Sequence, residues 1–172
     1  FRAISIVTLT GAVLLALMIG YVAARYHFDL NDRIEQQYRA SIRDELTSLL
    51  NRRGALTAVT EALAVRASTY ATILVDVDDL KRINDNYGHS AGDEVLCILS
   101  ERMRKGLKPG ELIGRFGGDE FVAMKAYRKL DELHEFIARL QHALSRNIKL
   151  DAIDVTPGAS LGVAIYPFDA TD

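Results

Sequence analysis

From Ala3 to Ala24 the chain carries no charged side chain and is rich in Leu, Ile, Val and Ala. No other stretch limits the fold as strongly. A helix of roughly 20 apolar residues crosses a bilayer, and one that is apolar all round does not suit the surface of a water-soluble domain. The run therefore predicts a transmembrane helix over residues 1–25. Arg2 and Arg25 bracket it, and Arg25, His27 and Arg33 favour its C-terminal side as cytoplasmic. A signal peptide is the competing reading, since Val22-Ala23-Ala24 could pass as a cleavage site; the length of the apolar run opposes it. The first residue is Phe1 rather than Met, so the chain reads as a fragment, with any sensor lying upstream.

The remainder is an ordinary single domain with a helical lead-in. With 21 basic and 23 acidic side chains, the net charge of −2 does not fit a protein that coats nucleic acid. The single cysteine, Cys97, excludes an internal disulfide framework and suits a reducing compartment, as a core filler in a helix.

Between Phe28 and Leu50, apolar residues recur every fourth position: Leu30, Ile34, Tyr38, Ile42 and Leu46. That spacing predicts one face of a helix. It is a signalling linker over residues 26–43 that transmits subunit rotation or separation, or else a plain amphipathic connector. It leads into DELTSLLNRR (44–53) and a second helix from Asn51 to Ala67. TYATILVDVD (69–78) is β-branched and apolar and reads as a buried strand ending in acids. A short helix over 79–89 closes at Gly88, and a longer one follows over 91–107. ELIGRF and EFVAMKAY are strands joined by a turn at Gly117-Gly118. A helix over 130–146 and a strand over 159–167 complete an α+β domain with helices on one side of its sheet.

The acids carry the chemistry. Asp76 and Asp78 end the first strand, and Asp119 and Glu120 follow the glycines of the hairpin. In a split βαβ-type sheet the first strand lies beside the hairpin, which brings the two groups together. Alone, either pair is ordinary surface charge. Together they are what a divalent metal bound to phosphate needs, since Mg²⁺ takes few carboxylates and completes its shell with water and phosphate oxygens. Two such ions can clamp both oxygens of a phosphoryl transfer. Asp79, Leu80 and Lys81 open a helix directly after the acids. Its free N–H groups favour triphosphate oxygens, and Lys81 adds a point charge. Gly117 and Gly118 let the backbone approach a phosphate. Asn84 and Asp93 are placed to read a base. A carboxylate accepts from guanine N1–H and the exocyclic amine, which adenine cannot match. Helix capping is the alternative role for Asn84 and Asp93.

Three segments, DELTSLLNRR, LVDVDDLKRINDNYGHSAGDEVL (74–96) and RFGGDEF (115–121), together resemble the GGDEF domains, the diguanylate cyclases. The resemblance covers Asp44 to the end. It implies a palm-like, mainly antiparallel sheet with flanking helices over 44–172, similar to adenylyl cyclases and polymerases. It also implies condensation of two GTP into cyclic di-GMP with release of two pyrophosphates. By the same resemblance Asp76, Asp119 and the carbonyl of Val77 hold two Mg²⁺ or Mn²⁺ ions. Glu120 contacts metal or helps deprotonate the attacking 3′-OH. Lys81, Gly117 and Gly118 meet the phosphates, and Asn84 and Asp93 meet guanine. Each domain holds one GTP, so a homodimer is required, anchored in the bacterial inner membrane with its catalytic domains in the cytoplasm.

Two departures from the family pattern stand out. The product-inhibition motif, Arg-x-x-Asp, reads here Lys108-Pro109-Gly110-Glu111. Lysine lacks arginine's planar fork, so feedback through this site is expected to be weak or absent. The family also continues into a further helix with phosphate-binding basic residues, so the chain as given is expected to be less active than the whole protein. A non-catalytic receptor or scaffold that binds GTP or a regulatory partner is the alternative from another class. Retention of Asp76, Asp119 and Glu120 opposes it.

Overall fold

A computed structural model describes residues 2–64, 69–150 and 153–169, with side chains of the first helix described at 11, 14, 15 and from 17 onward. The chain divides into two units, Phe1–Ser41 and Ile42–Asp172.

The first unit is one helix, α1 (Arg2–Ser41). Its described apolar side chains, among them Leu30, Ile34 and Tyr38, are exposed. Among the described residues no helix is long and apolar enough to cross a membrane. Much of the uncharged run falls at positions 1–10, 12, 13 and 16, whose side chains lie outside the described residues.

The linker stripe does not continue as helix to Leu50. After Ser41 the chain turns, with a bridge between Arg43 and Leu50, and Leu46 packs against the core of the second unit. Asp44 drives the turn by accepting from the Thr47 amide (2.8 Å) and hydroxyl (2.6 Å), a local bond that competes with helix. Helix α2 (Arg52–Ala64) then starts with the Asn51 side chain accepting from Gly54 N–H at 2.9 Å.

The remaining elements are β1 (Thr69–Asp78), α3 (Leu80–Tyr87), α4 (His89–Lys105), β2 (Glu111–Gly117), β3 (Glu120–Tyr127), α5 (Leu130–Ser145), β4 (Ile148–Leu150), β5 (Ile153–Val155) and β6 (Gly158–Tyr166). The sheet runs β2-β3-β1-β6, every neighbouring pair antiparallel, and β4 and β5 form a small separate ribbon. The ribbon is too short to show a period in sequence.

Alternate residues of β1 explain the layers. Ala71, Ile73, Val75 and Val77 are buried in a core that includes Val95, Leu99 and Met103 of α4 and Phe136, Leu140 and Leu144 of α5. Helices do not lie on that side alone. Gly114, Val122 and Leu74 share the opposite face by register, and there α2 sits so close that a Cβ on Gly114 would lie 2.8 Å from that of Ala55. A pattern read along one strand shows which residues alternate, but not which helix covers which face.

Candidate active site

β1 is central in the sheet, so the acids at its end are flanked by strands on both sides. Asp76 pairs in register with Glu120 of β3, which puts both side chains on one face. The Val77 amide donates to the Asp119 carbonyl at 3.1 Å and ties the strand end to the hairpin turn. The two residues between the paired Gly117 and Glu120 are Gly118 and Asp119, so the turn is shifted by one from the expected Gly117-Gly118. Gly117 (φ 149°) and Gly118 (φ 52°) occupy conformations that a side chain disfavours. Asp119 is thus a turn residue itself.

Asp76, Val77, Asp79, Leu80, Lys81 and Asp119 line one open groove of ≈ 640 Å³. Asp78, paired with Asp76 in the sequence reading, also lines it, and Arg82, Asp85 and Asn86, which the sequence reading gave no role, complete its wall. Asp79 sits in the left-handed region (φ 60°) and makes no side-chain cap on α3. Strain of this kind concentrates at functional sites. Its carboxylate instead pairs with Arg82 at 3.1 Å, so no Asp79 side-chain bond takes up the first N–H groups of α3. Glu120, Gly117 and Gly118 stand beside the groove rather than in its wall.

Among the described residues no three His, Cys, Asp or Glu side chains are gathered closely enough to hold a metal ion. The donor set still fits Mg²⁺ or Mn²⁺. Asp76 and Asp119 are hard oxygen donors on one groove, and neither is ion-paired with a cation among the described residues. A site of few protein ligands leaves positions for water and phosphate.

Asn84 and Asp93 do not line the groove; Asn84 packs against Gly92 of α4, and Asp93, the next residue, is exposed. Helix α4 is capped by Gly88, with no side-chain cap bond, and Asn84 lies inside α3, so neither residue is an N-cap. The Asn84 Oδ1 is buried and has no hydrogen-bond partner among the described residues. Such an acceptor costs roughly 1–3 kcal/mol when no donor reaches it.

Lys108 and Glu111 lie at the far end of β2. Lys108 Nζ pairs with Glu135 at 2.6 Å. The Glu111 side chain is 1 % exposed and is held by Lys125 (2.8 Å) and Arg139 (2.5 Å), and by the Lys108 amide at 2.8 Å. Burial pushes the Glu111 pKa up, but the Arg139 and Lys125 hydrogen bonds outweigh it and hold the group ionised below its ordinary value.

Sequence reasoning also left Asp44 and Arg115 without roles, although both stand in the quoted motifs. They meet across the domain, Arg115 Nη1 to Asp44 Oδ1 at 3.1 Å. Cys97 is half-buried on α4, with Sγ 3.4 Å from the Leu46 carbonyl. Burial and then Asp93 push its thiol pKa up, which disfavours the thiolate.

An antiparallel four-stranded sheet carries acids at the end of an inner strand, beside an open groove at a helix start. Residues 41–172 match the family described as diguanylate cyclase, GGDEF domain, and the chain belongs to it. It is 37% identical over 133 residues to the cyclic di-GMP phosphodiesterase NbdA of Pseudomonas aeruginosa, covering 73% of this chain and 16% of NbdA. To the diguanylate cyclase DgcP of the same organism it is 32% identical over 137 residues, covering 76% of this chain and 20% of DgcP. It therefore spans a fifth or less of these two relatives. Among solved structures, the diguanylate cyclase SiaD of P. aeruginosa, crystallised with its activator SiaC, superposes with a TM-score of 0.73 at 27% identity, over 99% of this chain and 67% of SiaD. The coiled coil and GGDEF domain of DgcB from Caulobacter crescentus shares the fold, with a TM-score of 0.74 at 23% identity over 88% of this chain and 82% of that one.

Proposed function

We propose that this chain is the catalytic part of a membrane-anchored diguanylate cyclase. The observation that carries the reading is the shared groove: Asp76, Asp119, Lys81 and the start of α3 line one space of ≈ 640 Å³. A triphosphate laid there meets the Lys81 ammonium and the first N–H groups of α3. Asp76, Asp119 and the Val77 carbonyl would hold Mg²⁺ or Mn²⁺, which stabilises the charge of the transferring phosphoryl group. Glu120, beside Asp76, is placed to accept the proton of the attacking 3′-hydroxyl. The 3′-oxygen bonds to the partner nucleotide's α-phosphorus as the bond to pyrophosphate breaks; two such events close the ring. One groove serves one GTP, so the reaction needs a second copy of the domain, and pairing supplies proximity.

The uncharged run at residues 3–24 serves as the anchor, with the domain on the cytoplasmic face of a bacterial inner membrane and regulatory input from an upstream sensor or partner protein. The test is incubation of the dimeric protein with Mg²⁺ and GTP, followed by chromatography. Cyclic di-GMP and pyrophosphate are expected. Absence of product from a dimeric, folded sample overturns the reading.

The name of NbdA, a phosphodiesterase that contains a matching segment, supports a second reading: a GTP-binding regulatory domain without cyclase activity. GTP binding without product is its signature.

A further inference from the structure

We propose that Gly92 is a positioning residue for base recognition: its missing side chain makes the space that holds the Asn84 amide. The inference rests on the reading of Asn84 and Asp93 as the guanine-contacting pair.

Gly92 is buried within α4, with no positive φ. Nothing in its backbone asks for glycine, and glycine is among the poorest helix formers. The reason lies in what a side chain would meet. A Cβ at Gly92 would fall 2.0 Å from Asn84 Oδ1, 2.9 Å from its Cγ and 3.4 Å from its Nδ2. The three nearest atoms all belong to one amide. Gly54 and Gly114 differ, since a Cβ there would meet backbone oxygens, Ile42 O at 2.4 Å and Leu50 O at 2.8 Å. Those two glycines serve helix and strand packing, where nothing yields cheaply. At Gly92 the obstacle is the end of a rotatable side chain, so Asn84 gives way before the fold does.

The atom that would be struck first, Asn84 Oδ1, is buried and has no hydrogen-bond partner among the described residues. No donor among them anchors that oxygen; shape holds it against Gly92. Asp93 follows directly in the chain and is exposed. By the reading on which this rests, the Asn84 amide and the Asp93 carboxylate contact one guanine, so moving the amide alters the recognition of the base. A methyl at Gly92 therefore disturbs base choice and leaves the groove for the triphosphate intact.

The experiment measures equilibrium binding of 3′-deoxy-GTP and 3′-deoxy-ATP, which cannot cyclise, with thermal unfolding alongside. The variants are Gly92→Ala, Asn84→Ala and the double substitution. Asn84→Ala is expected to lower the guanine-over-adenine preference by about tenfold or more. Gly92→Ala is expected to lower it comparably with Tm unchanged or raised, and the double variant to lose no more than either alone. If Asn84→Ala lowers the preference and Gly92→Ala does not, the positioning role is overturned while the base-contact reading stands. Additive losses in the double variant overturn it too. An unchanged preference in Asn84→Ala defeats the base-contact reading itself. If Gly92→Ala loses stability, recovery on adding Asn84→Ala supports the Asn84 clash, and failure to recover overturns the proposal.

Discussion

Arg115 holds together two parts of the chain 71 residues apart: its Nη1 lies 3.1 Å from Asp44 Oδ1, and its Nε and Nη2 both donate to the Gly118 carbonyl, at 3.0 and 2.8 Å. Asp44 is itself fixed by Thr47. The loop before α2 thus grips the turn that presents Asp119.

Breaking this grip should cost stability and activity together. Asp44→Asn is expected to lose about 2 kcal/mol, the value of a charge-assisted hydrogen bond, seen as a Tm drop of roughly 5 °C. Arg115→Lys keeps the charge but not the fork, and should lower turnover while nucleotide binding changes less. An Arg115→Lys enzyme of full activity would show that the turn holds without the clamp. Burial raises the Asp44 pKa, yet the Thr47 bonds and Arg115 outweigh it, leaving it below 3.8. A lowered carboxylate pKa contributes stability above its ordinary value that is lost as pH falls through the folded one. The wild type should therefore lose this increment only below about pH 3.8. Asp44→Asn should lack it at every pH, which acid titrations of both proteins would reveal.

Asp119→Asn and Asp76→Asn should separate chemistry from folding. Neither side chain is ion-paired among the described residues, and the Asp119 carbonyl that accepts from Val77 survives substitution. Cyclic di-GMP formation should fall by about 10²-fold or more with Tm within roughly 2 °C. Full activity in Asp119→Asn defeats the metal assignment.

Glu111 should behave as structure. Removing a carboxylate that is 1 % exposed leaves Lys125 and Arg139 without their partner, and Glu111→Ala should cost about 3–5 kcal/mol in denaturant unfolding. Its lowered pKa means this contribution is complete above 4.5 and lost as pH falls through the folded value. Because Glu111 and Lys108 already have internal partners, titration with cyclic di-GMP should show no inhibition in the micromolar range. Micromolar binding abolished by Lys108→Ala would contradict this.

The proposed anchoring role is tested on exposed positions of α1. Replacing Leu14 and Leu15 with Arg adds about 2.5–3.5 kcal/mol per residue to insertion at a bilayer centre. It should move the full chain from the membrane fraction to the soluble one. Unchanged fractionation would exclude insertion of this segment.

Much of the active region was readable because its determinants are local. β-Branched residues alternate along β1, acids end it, and glycines mark the hairpin. Turn detail was less legible. The loop centres on Gly118 and Asp119 because the register between β2 and β3 shifts after Arg115, a pairing set by both strands at once. The side of the sheet that α2 covers was not legible either, nor was the end of α1 at Ser41, where the Asp44 turn replaces helix.

What the sequence alone determined was the kind of chain: an uncharged segment, an α+β domain, and acids with glycines in an order that resembles one family. Only the tertiary structure decided which charges are free and which are spent. Asp76 and Asp119 share a groove and neither is ion-paired among the described residues, whereas Glu111, equally acidic in one dimension, is buried between Lys125 and Arg139. The physical reason is that a carboxylate's role follows from its neighbours and its access to water, and both are set by residues far away in the chain.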